Sequence, residues 1–193
     1  MKSLAWMVMV SGMALVGASA AMAAEADRDE AARNYFTDLE VIDQNGKRLR
    51  FYSDVLADRV VLVNVIYTNC QEACPLITQL LLATRGKLVD AVKDDVWFVS
   101  VSIDPERDTP EALKTFATRQ GADESRWLFL TGTKENIDHI LKKLRRQGPS
   151  IEGHSTQMLA GTTRERHEWI PLPAGIQPGA IAAVLRSLAE RPG

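Results

Sequence analysis

Two apolar segments near the middle of the chain have the pattern of buried strands. Residues 60–67 (VVLVNVIY) and 96–103 (VWFVSVSI) are short, uncharged and rich in β-branched side chains. A continuous apolar run of this length favours a strand that is covered on both faces. Residues 127–131 (WLFLT) predict a third strand.

Helix-like spacing of apolar residues separates and follows these strands. Residues 134–144 and 178–190 each place apolar side chains three and four positions apart, which is typical of one buried helical face. Thr109 is a favourable N-cap, and Pro110 fits the first position of another helix. Residues 75–92 predict a further helix, and its expected inward face carries Leu76, Leu80, Leu88, Val89 and Val92.

Two hairpins flank this alternation. The Asn-Gly pair at 45–46 supplies the positive φ angles of a tight turn between residues 39–42 and 47–51. Residues 155–160 and 165–170 are expected to pair as a second hairpin. Strands that alternate with helices pair in parallel through right-handed crossovers, whereas a hairpin is antiparallel. The order therefore predicts an α/β protein of thioredoxin-like fold, with a mixed central sheet, an N-terminal β-hairpin and an inserted strand and helix.

The first residues have the layout of a secretory signal peptide. A basic start is followed by the uncharged run Leu4–Val16 and by an A-x-A box that ends at Ala23. We therefore expect residues 1–23 to be removed on export and residues 24–35 to form a flexible leader before one domain at 36–193. The alternative is an uncleaved membrane anchor. With cleavage, the mature protein is expected to be soluble in the periplasm, an oxidising compartment, without a stable membrane span.

Composition narrows the range of functions. The 193-residue chain has a formal net charge of -2, which gives no electrostatic reason to expect nucleic-acid binding. With two cysteines, it can form neither a disulfide-rich scaffold nor a four-cysteine zinc site. All methionines except Met158 lie in the expected signal peptide, so a methionine-rich copper-binding arm is excluded. Met158 itself is expected to pack in the core.

The two cysteines follow a predicted strand and begin a predicted helix. Residues at i and i+4 of a helix share one face, which brings Cys70 and Cys74 close enough to share a soft metal ion or to form a disulfide. The helix N-terminus favours the thiolate form that both reactions need. A permanent structural disulfide is a further alternative, but so short a loop would stabilise the fold little.

Three histidines are candidates for a further ligand. His139 lies opposite Ile137 on its predicted helix and is expected to face solvent. His167 lies in a strongly charged turn and is also expected at the surface. His154 follows a glycine-containing loop and directly precedes a predicted strand, in the part of a thioredoxin-like fold that faces the cysteines. It is therefore the candidate metal ligand.

Two aspartates precede the helix that begins at Pro110. Asp104 and Asp108 could orient the loop that carries the cysteines, or contact a partner protein. The interpretation that the sequence favours is simpler: they cap this helix and pair with Arg107.

Two motifs and a histidine are similar to those of the Sco/SenC family of exported copper-handling proteins. Residues 67–75 (YTNCQEACP) match the family's Y-T-x-C-x-x-x-C-P signature, and residues 101–110 (VSIDPERDTP) are close to its S-x-D-P-x-R-D-T-P segment. The pair His154-Ser155 falls where the family has its copper-ligating histidine. The resemblance covers the chain from about Phe36 to its C-terminus.

The resemblance implies a copper site. It implies that Cys70, Cys74 and His154 bind copper, and that the protein delivers copper or electrons to the binuclear copper centre of cytochrome oxidase. Thiolates select Cu(I), and imidazole suits both Cu(I) and Cu(II), so the chemistry of these residues agrees with the resemblance. The expected partners are the copper-receiving protein and a thiol reductant.

Two other functions would use the same cysteines. The protein could be a thiol–disulfide oxidoreductase that reduces the cysteines of a copper-site partner, with Cys70 and Cys74 as the catalytic pair. A thiol peroxidase, in which one cysteine attacks and the other resolves, is a third class. The sequence favours a copper chaperone over either enzyme, because the spacing is not the Cys-x-x-Cys of typical oxidoreductases.

Overall fold

The computed structural model describes residues 10–123, 125–146, 157–164 and 168–190. The helices in this part of the chain are α1 (Val10–Phe36), α2 (Ala73–Arg85), α3 (Asp90–Lys93), α4 (Pro110–Gln120), α5 (Lys134–Lys143) and α6 (Pro178–Glu190). The strands are β1 (Glu40–Asp43), β2 (Arg48–Arg50), β3 (Val60–Ile66), β4 (Val96–Ser102), β5 (Trp127–Thr131), β6 (Met158–Thr162) and β7 (Glu168–Leu172). A π-helical segment, Phe51–Leu56, follows β2.

These strands form one mixed sheet in the order β2-β1-β5-β4-β3-β6-β7. The central strands β3, β4 and β5 are parallel, whereas β1 and β6 join them antiparallel. Helices connect the parallel strands, and antiparallel hairpins stand at both ends of the sheet. The predicted thioredoxin-like α/β fold with a mixed sheet and an N-terminal hairpin is therefore confirmed.

Both faces of the central strands are covered, as their apolar runs predicted. Every residue of β3 is buried, and its side chains alternate between two cores. One core includes residues of α2, α4 and α6, and the other includes residues of α1, α5 and the π-helical segment. Cys70 and Cys74 belong to the first core, so the cysteine pair lies on the α2 side of the sheet.

The N-terminal hairpin forms around its Asn-Gly turn. Gly46 has a φ of +80°, a left-handed conformation that glycine adopts at low cost. Asp43 Oδ1 accepts hydrogen bonds from the backbone N–H groups of Asn45 and Lys47 at 2.8 and 2.9 Å, which fixes the turn. The pairing of β1 with β5 then attaches the hairpin to the central sheet.

The segment 75–92 is not one helix. α2 ends at Arg85, before the end of this segment, and the short helix α3 follows after a turn. Leu88 and Val92 are buried, but Leu76 is 70% exposed and Val89 is 46% exposed, so these two expected inward positions are wrong. Apolar spacing does not reveal the break, because Leu88 and Val92 keep a four-residue spacing beyond it.

The second hairpin is shifted toward the C-terminus relative to the prediction. β6 begins at Met158, and β7 continues to Leu172. Residues 155–156 and 165–167 of the predicted strands lie outside the described residues. Met158 is buried in the core, as expected.

The segment that was expected to be a flexible leader is helical. Residues 24–35 belong to α1. Ala32 and Phe36 are buried in the core on the α1 side of the sheet, and the Tyr52 hydroxyl donates to Asp29 at 2.6 Å. Half of the residues in this segment are charged, and its apolar face consists of only a few residues spaced four apart, so its composition did not predict a packed helix.

The expected signal peptide is only partly described. Its residues 1–9 lie outside the described residues, and the helix α1 begins at Val10. Within the described part of the chain, no helix is both long enough and apolar enough to cross a membrane.

Candidate metal and redox site

The two cysteines lie at the carboxyl end of a central parallel strand. β3 ends at Ile66, residues 67–72 form a loop that we call the cysteine loop, and α2 begins at Ala73. Ligands and reactive groups of open α/β sheets collect outside the carboxyl ends of the strands. The predicted position of the cysteine pair, after a buried strand and at the start of a helix, is confirmed.

The Cys70 sulfur serves as the acceptor that caps α2. Glu72 occupies the N-cap position, but its side chain makes no capping hydrogen bond. Instead, the backbone N–H of Cys74 donates to Cys70 Sγ at 3.2 Å. The next residue, Pro75, has no N–H that would need an acceptor. The first turn of the helix therefore directs a hydrogen bond and its dipole at the Cys70 sulfur.

The two thiols differ in how easily they ionise. Burial raises the pKa of Cys70, but hydrogen bonds from the side chain and backbone N–H of Cys74 and from the backbone N–H of Glu72 outweigh it, so the pKa lies below its ordinary value. Burial, the hydrogen bond with Cys70 and the charge of Asp108 raise the pKa of Cys74 to about 12. Cys70 is 7% exposed and Cys74 is fully buried. Cys70 is therefore the more reactive sulfur and Cys74 the protected one.

A carboxylate from the loop after β4 holds the cysteine loop in place. Asp108 is buried, and its Oδ1 accepts hydrogen bonds from the backbone N–H of Thr68 at 3.0 Å and from the Thr68 hydroxyl at 2.6 Å. Its Oδ2 accepts a hydrogen bond from the Ser102 hydroxyl at 2.5 Å. Asp108 therefore ties the loop that carries Cys70 to the end of β4.

The interpretation that Asp104 and Asp108 cap α4 is wrong for both residues. The N-cap of α4 is Thr109, whose hydroxyl accepts a hydrogen bond from the backbone N–H of Ala112 at 3.2 Å. Asp104 pairs with Arg107 at 3.0 Å, as expected. Of the roles considered for Asp108, orientation of the cysteine loop is the one that its contacts show.

Sequence reasoning missed the two hydroxyl residues that complete this arrangement. Thr68 comes directly after the first predicted strand, and Ser102 lies near the end of the second. Their shared feature is a polar side chain at the carboxyl end of a buried strand, where parallel strands bring such residues together. That feature could have connected them with Asp108 and with the cysteines.

His139 is the one histidine among the described residues. It is exposed on α5, as predicted. His154 and His167 lie outside the described residues. Over the part of the chain that is described, no three His, Cys, Asp or Glu side chains form a group that could hold a metal ion. The third ligand therefore stays a prediction.

The donor atoms of the cysteine pair suit a soft metal ion or a redox disulfide. Both cysteines are free thiols, and a hydrogen bond from the Cys74 backbone to the Cys70 sulfur joins them. Two thiolates select Cu(I) over hard cations such as Mg²⁺. Oxidation of the same pair to a disulfide removes both donors at once. The site therefore supports two chemistries that exclude each other.

The sheet is thioredoxin-like, and two thiols lie at the start of the helix after a central strand, where a cysteine pair can bind a soft metal ion or form a disulfide. The family model described as SCO1/SenC matches residues 27–157, which is more than half of the chain. The chain belongs to the SCO1/SenC family.

Individual relatives agree with this assignment. The SCO1 protein homolog of Bacillus subtilis (strain 168) is 37% identical over 94 residues, which are 49% of this chain and 47% of that protein. BsSco, a Sco-family cytochrome c oxidase assembly protein whose solved structure identifies a disulfide switch, is 26% identical, with a TM-score of 0.64 over 80% of this chain and 92% of that one. Bradyrhizobium japonicum ScoI, solved with copper bound, is 24% identical and shares the fold, with a TM-score of 0.62 over 77% of this chain and 96% of that one. The chain spans about half the length of the curated relatives it matches.

Proposed function

We propose that the protein binds one copper ion through Cys70, Cys74 and His154 and carries it to a copper enzyme. The observation that supports this most is the cysteine pair, two free thiols at one helix start with a backbone N–H directed at the Cys70 sulfur. Family membership and the copper-bound structure of a relative support copper over other soft ions. Two thiolates suit Cu(I), and the imidazole adds a ligand that also suits Cu(II).

The copper ion is cargo in this proposal. Two sulfurs and one imidazole leave a coordination position through which a ligand of the acceptor can bind before the ion leaves. The acceptor is a copper-receiving protein, such as the copper-centre subunit of cytochrome c oxidase, in line with the oxidase-assembly role of the relative BsSco. A thiol reductant keeps the cysteine pair in its copper-binding form, because the exported protein meets oxidants.

A Cu(I) titration of the reduced and the oxidised protein tests this function. The reduced protein is expected to bind Cu(I) with a stoichiometry of one, and the oxidised protein is expected not to bind it, because the disulfide removes both thiolates. The measurement is competition against a chromophoric Cu(I) chelator. Equal copper binding by both forms would show that copper binds elsewhere.

The three histidines provide a matched set of variants for the third ligand. His154→Ala is expected to lose the Cu(II) spectrum but to keep part of the Cu(I) affinity, because Cu(I) is satisfied by two sulfurs. His139→Ala, at an exposed position of α5, and His167→Ala are expected to match the wild type. If His167→Ala loses the Cu(II) spectrum and His154→Ala keeps it, the assigned ligand is wrong.

The unequal thiols support a second candidate function, thiol–disulfide exchange with a copper-site partner. The Cys70 thiolate attacks the partner's disulfide and forms a mixed disulfide, with release of one partner thiolate. The Cys74 thiol then loses its proton and displaces the second partner sulfur, so that two electrons pass to the partner and the Cys70–Cys74 disulfide remains. A reactive first cysteine and a protected second one suit this order of steps.

Iodoacetamide is expected to modify Cys70 well before Cys74 near neutral pH. The lowered pKa of Cys70 increases its thiolate fraction, whereas Cys74 has a pKa of about 12 and is fully buried. Peptide mass spectrometry over a time course gives the order, and Cys70→Ser shows how Cys74 reacts alone. Earlier modification of Cys74 would reverse the assigned roles.

We also propose that the protein is exported and acts in the periplasm after removal of residues 1–23. The basis is the uncharged run and the A-x-A box at the start of the chain. Mass spectrometry of the protein from a periplasmic fraction is expected to show a chain that begins near Ala24. Recovery of the full-length chain from the membrane fraction would support the anchor instead.

A further inference from the structure

A cavity lies between α1, α5 and the hairpin of β6 and β7, on the side of the sheet opposite the cysteine pair. Its volume is about 760 Å³, within the range of roughly 300–1,000 Å³ that is usual for small-molecule sites. Its walls include the aromatic side chains of Tyr35, Phe36 and Trp169 and the aliphatic side chains of Leu144 and Leu159. The shape and the lining are those of a site for an apolar body.

The charged residues in the described lining of this cavity are all basic. They are Arg28, Lys143, Arg145 and Arg146, and no aspartate or glutamate is among the described residues that line it. Apolar walls beside a cluster of positive charge complement a molecule with an apolar body and an anionic group.

Arg146 is the buried member of this cluster. It is 6% exposed, and its Nη2 donates to the backbone carbonyl of Met158 at 3.2 Å. Its Nε–H, in contrast, is buried without a hydrogen-bond acceptor among the described residues. Burial lowers the pKa of this guanidinium. A buried charge with an unused donor is costly unless an anion completes its hydrogen bonds.

Trp169 is a fixed part of the cavity wall. Its indole Nε1–H is also buried without an acceptor in the described part of the chain. The ring lies over Gly161 of the paired strand, where a Cβ would come within 2.3 Å of it. Phe36 packs against the indole with ring centroids 4.6 Å apart. The glycine and the phenyl ring therefore fix the indole at the cavity wall.

We propose that this cavity binds an amphipathic carboxylate of the medium-chain fatty-acid class. Its carboxylate pairs with the guanidinium of Arg146, a buried lining residue that has no acidic partner among the described residues. Its hydrocarbon chain lies against apolar walls such as Leu144 and Leu159, which removes apolar surface from water. This site is separate from the copper site and does not rest on the proposed function.

Isothermal titration of the protein with dodecanoate, below its micelle concentration, tests the proposal. Dodecanoate is expected to bind saturably with a stoichiometry of one. Dodecan-1-ol has the same chain without the charge and is expected to bind roughly tenfold more weakly or worse, because it cannot form charge-assisted hydrogen bonds. Dodecyltrimethylammonium, which carries the opposite charge, is expected not to saturate the site.

Two substitutions on α1 form a matched pair. Ala31 and Asn34 are both exposed, so both positions tolerate a large side chain, but only Ala31 lines the cavity. Ala31→Trp is expected to lose dodecanoate binding, and Asn34→Trp is expected to keep it.

Three results would overturn the proposal: no saturable binding of dodecanoate by the wild type, equal affinity for dodecanoate and dodecan-1-ol, or unchanged binding by Ala31→Trp. The far-UV circular dichroism and thermal unfolding of Ala31→Trp are expected to match the wild type, which shows that this variant is folded. Failure of the carboxylate site and failure of the copper site are separate results, because the two sites lie on opposite sides of the sheet.

Discussion

Cys70→Ser is expected to lower the affinity of the protein for Cu(I) by roughly a hundredfold or more, because a serine hydroxyl is a hard donor where the site needs a soft thiolate. The loss is large because the remaining sulfur is the less available one. The pKa of Cys74 is raised to about 12, whereas that of Cys70 lies below its ordinary value. Competition with a chromophoric Cu(I) chelator measures the affinity.

Comparison of Cys74→Ser with Cys70→Ser separates the effect on copper binding from the effect on stability. Cys74→Ser also removes a sulfur ligand, but it places a hydroxyl at a fully buried position, which costs about 1–3 kcal/mol of unfolding free energy when no new hydrogen bond forms. Cys70→Ser keeps an oxygen that can accept the Cys74 backbone N–H at the start of α2, and it is expected to cost less unfolding free energy than Cys74→Ser. His139→Ala on α5 is the control for both measurements. Wild-type Cu(I) affinity in both cysteine variants would exclude this pair as the copper site.

The elements that depend on local pattern could be predicted from the sequence. β5 and α6 begin and end at the predicted residues, and Thr109 caps α4 through its hydroxyl as expected. The runs that predicted β3 and β4 are continuous because both faces of these strands are covered, so no polar alternation interrupts them.

Features that depend on contacts between distant segments could not be predicted in the same way. Phe36 lies at the end of a charged segment, and its burial follows from contact with Trp169 on β7. Leu76 has the spacing of a core residue, but Cys74 faces inward at the start of α2. A residue two positions further along a helix points to nearly the opposite side, so Leu76 is exposed.

In the candidate site, too, the features set by local sequence could be predicted, and those set by contacts between distant segments could not. Cys70 and Cys74 could be assigned from one contiguous motif, because a strand end followed by a helix start is a local pattern. The role of Asp108 could not be assigned from the sequence, because its hydrogen-bond donors come from Thr68 and Ser102. These residues lie at the ends of two different strands, and only the parallel pairing of β3 with β4 brings them together.

Asp108→Ala is expected to lower the free energy of unfolding by roughly 2–5 kcal/mol, since each buried donor left without an acceptor costs about 1–3 kcal/mol. The substitution removes the acceptor of the Thr68 backbone N–H and of the Thr68 and Ser102 hydroxyls. The hydroxyls can rotate toward other acceptors, but the N–H cannot. Urea unfolding followed by circular dichroism measures the change.

Two further variants identify the cause of this loss. Asp108→Asn keeps a carbonyl oxygen for the Thr68 N–H and is expected to recover part of the stability. Arg107→Gln removes the ion pair with Asp104, in which the arginine is largely exposed, and is expected to cost at most about 1 kcal/mol. A loss in Arg107→Gln as large as that in Asp108→Ala would assign the effect to the loop after β4 as a whole.

The role of Asp108 at the cysteine loop also predicts an effect on chemistry that a purely structural carboxylate would not have. Burial and the hydrogen bond with Cys70 are the main causes of the raised pKa of Cys74, and the negative charge of Asp108 adds a smaller part, so Asp108→Asn is expected to lower that pKa slightly. A lower pKa increases the thiolate fraction at a given pH, and alkylation of Cys74 in the folded protein should therefore be faster than in the wild type. The alkylation rate of Cys74 is measured without denaturant between about pH 7 and 10, a range that brackets the ordinary thiol pKa of about 8.5. Unchanged Cys74 reactivity in a folded Asp108→Asn protein would limit Asp108 to holding the backbone of Thr68.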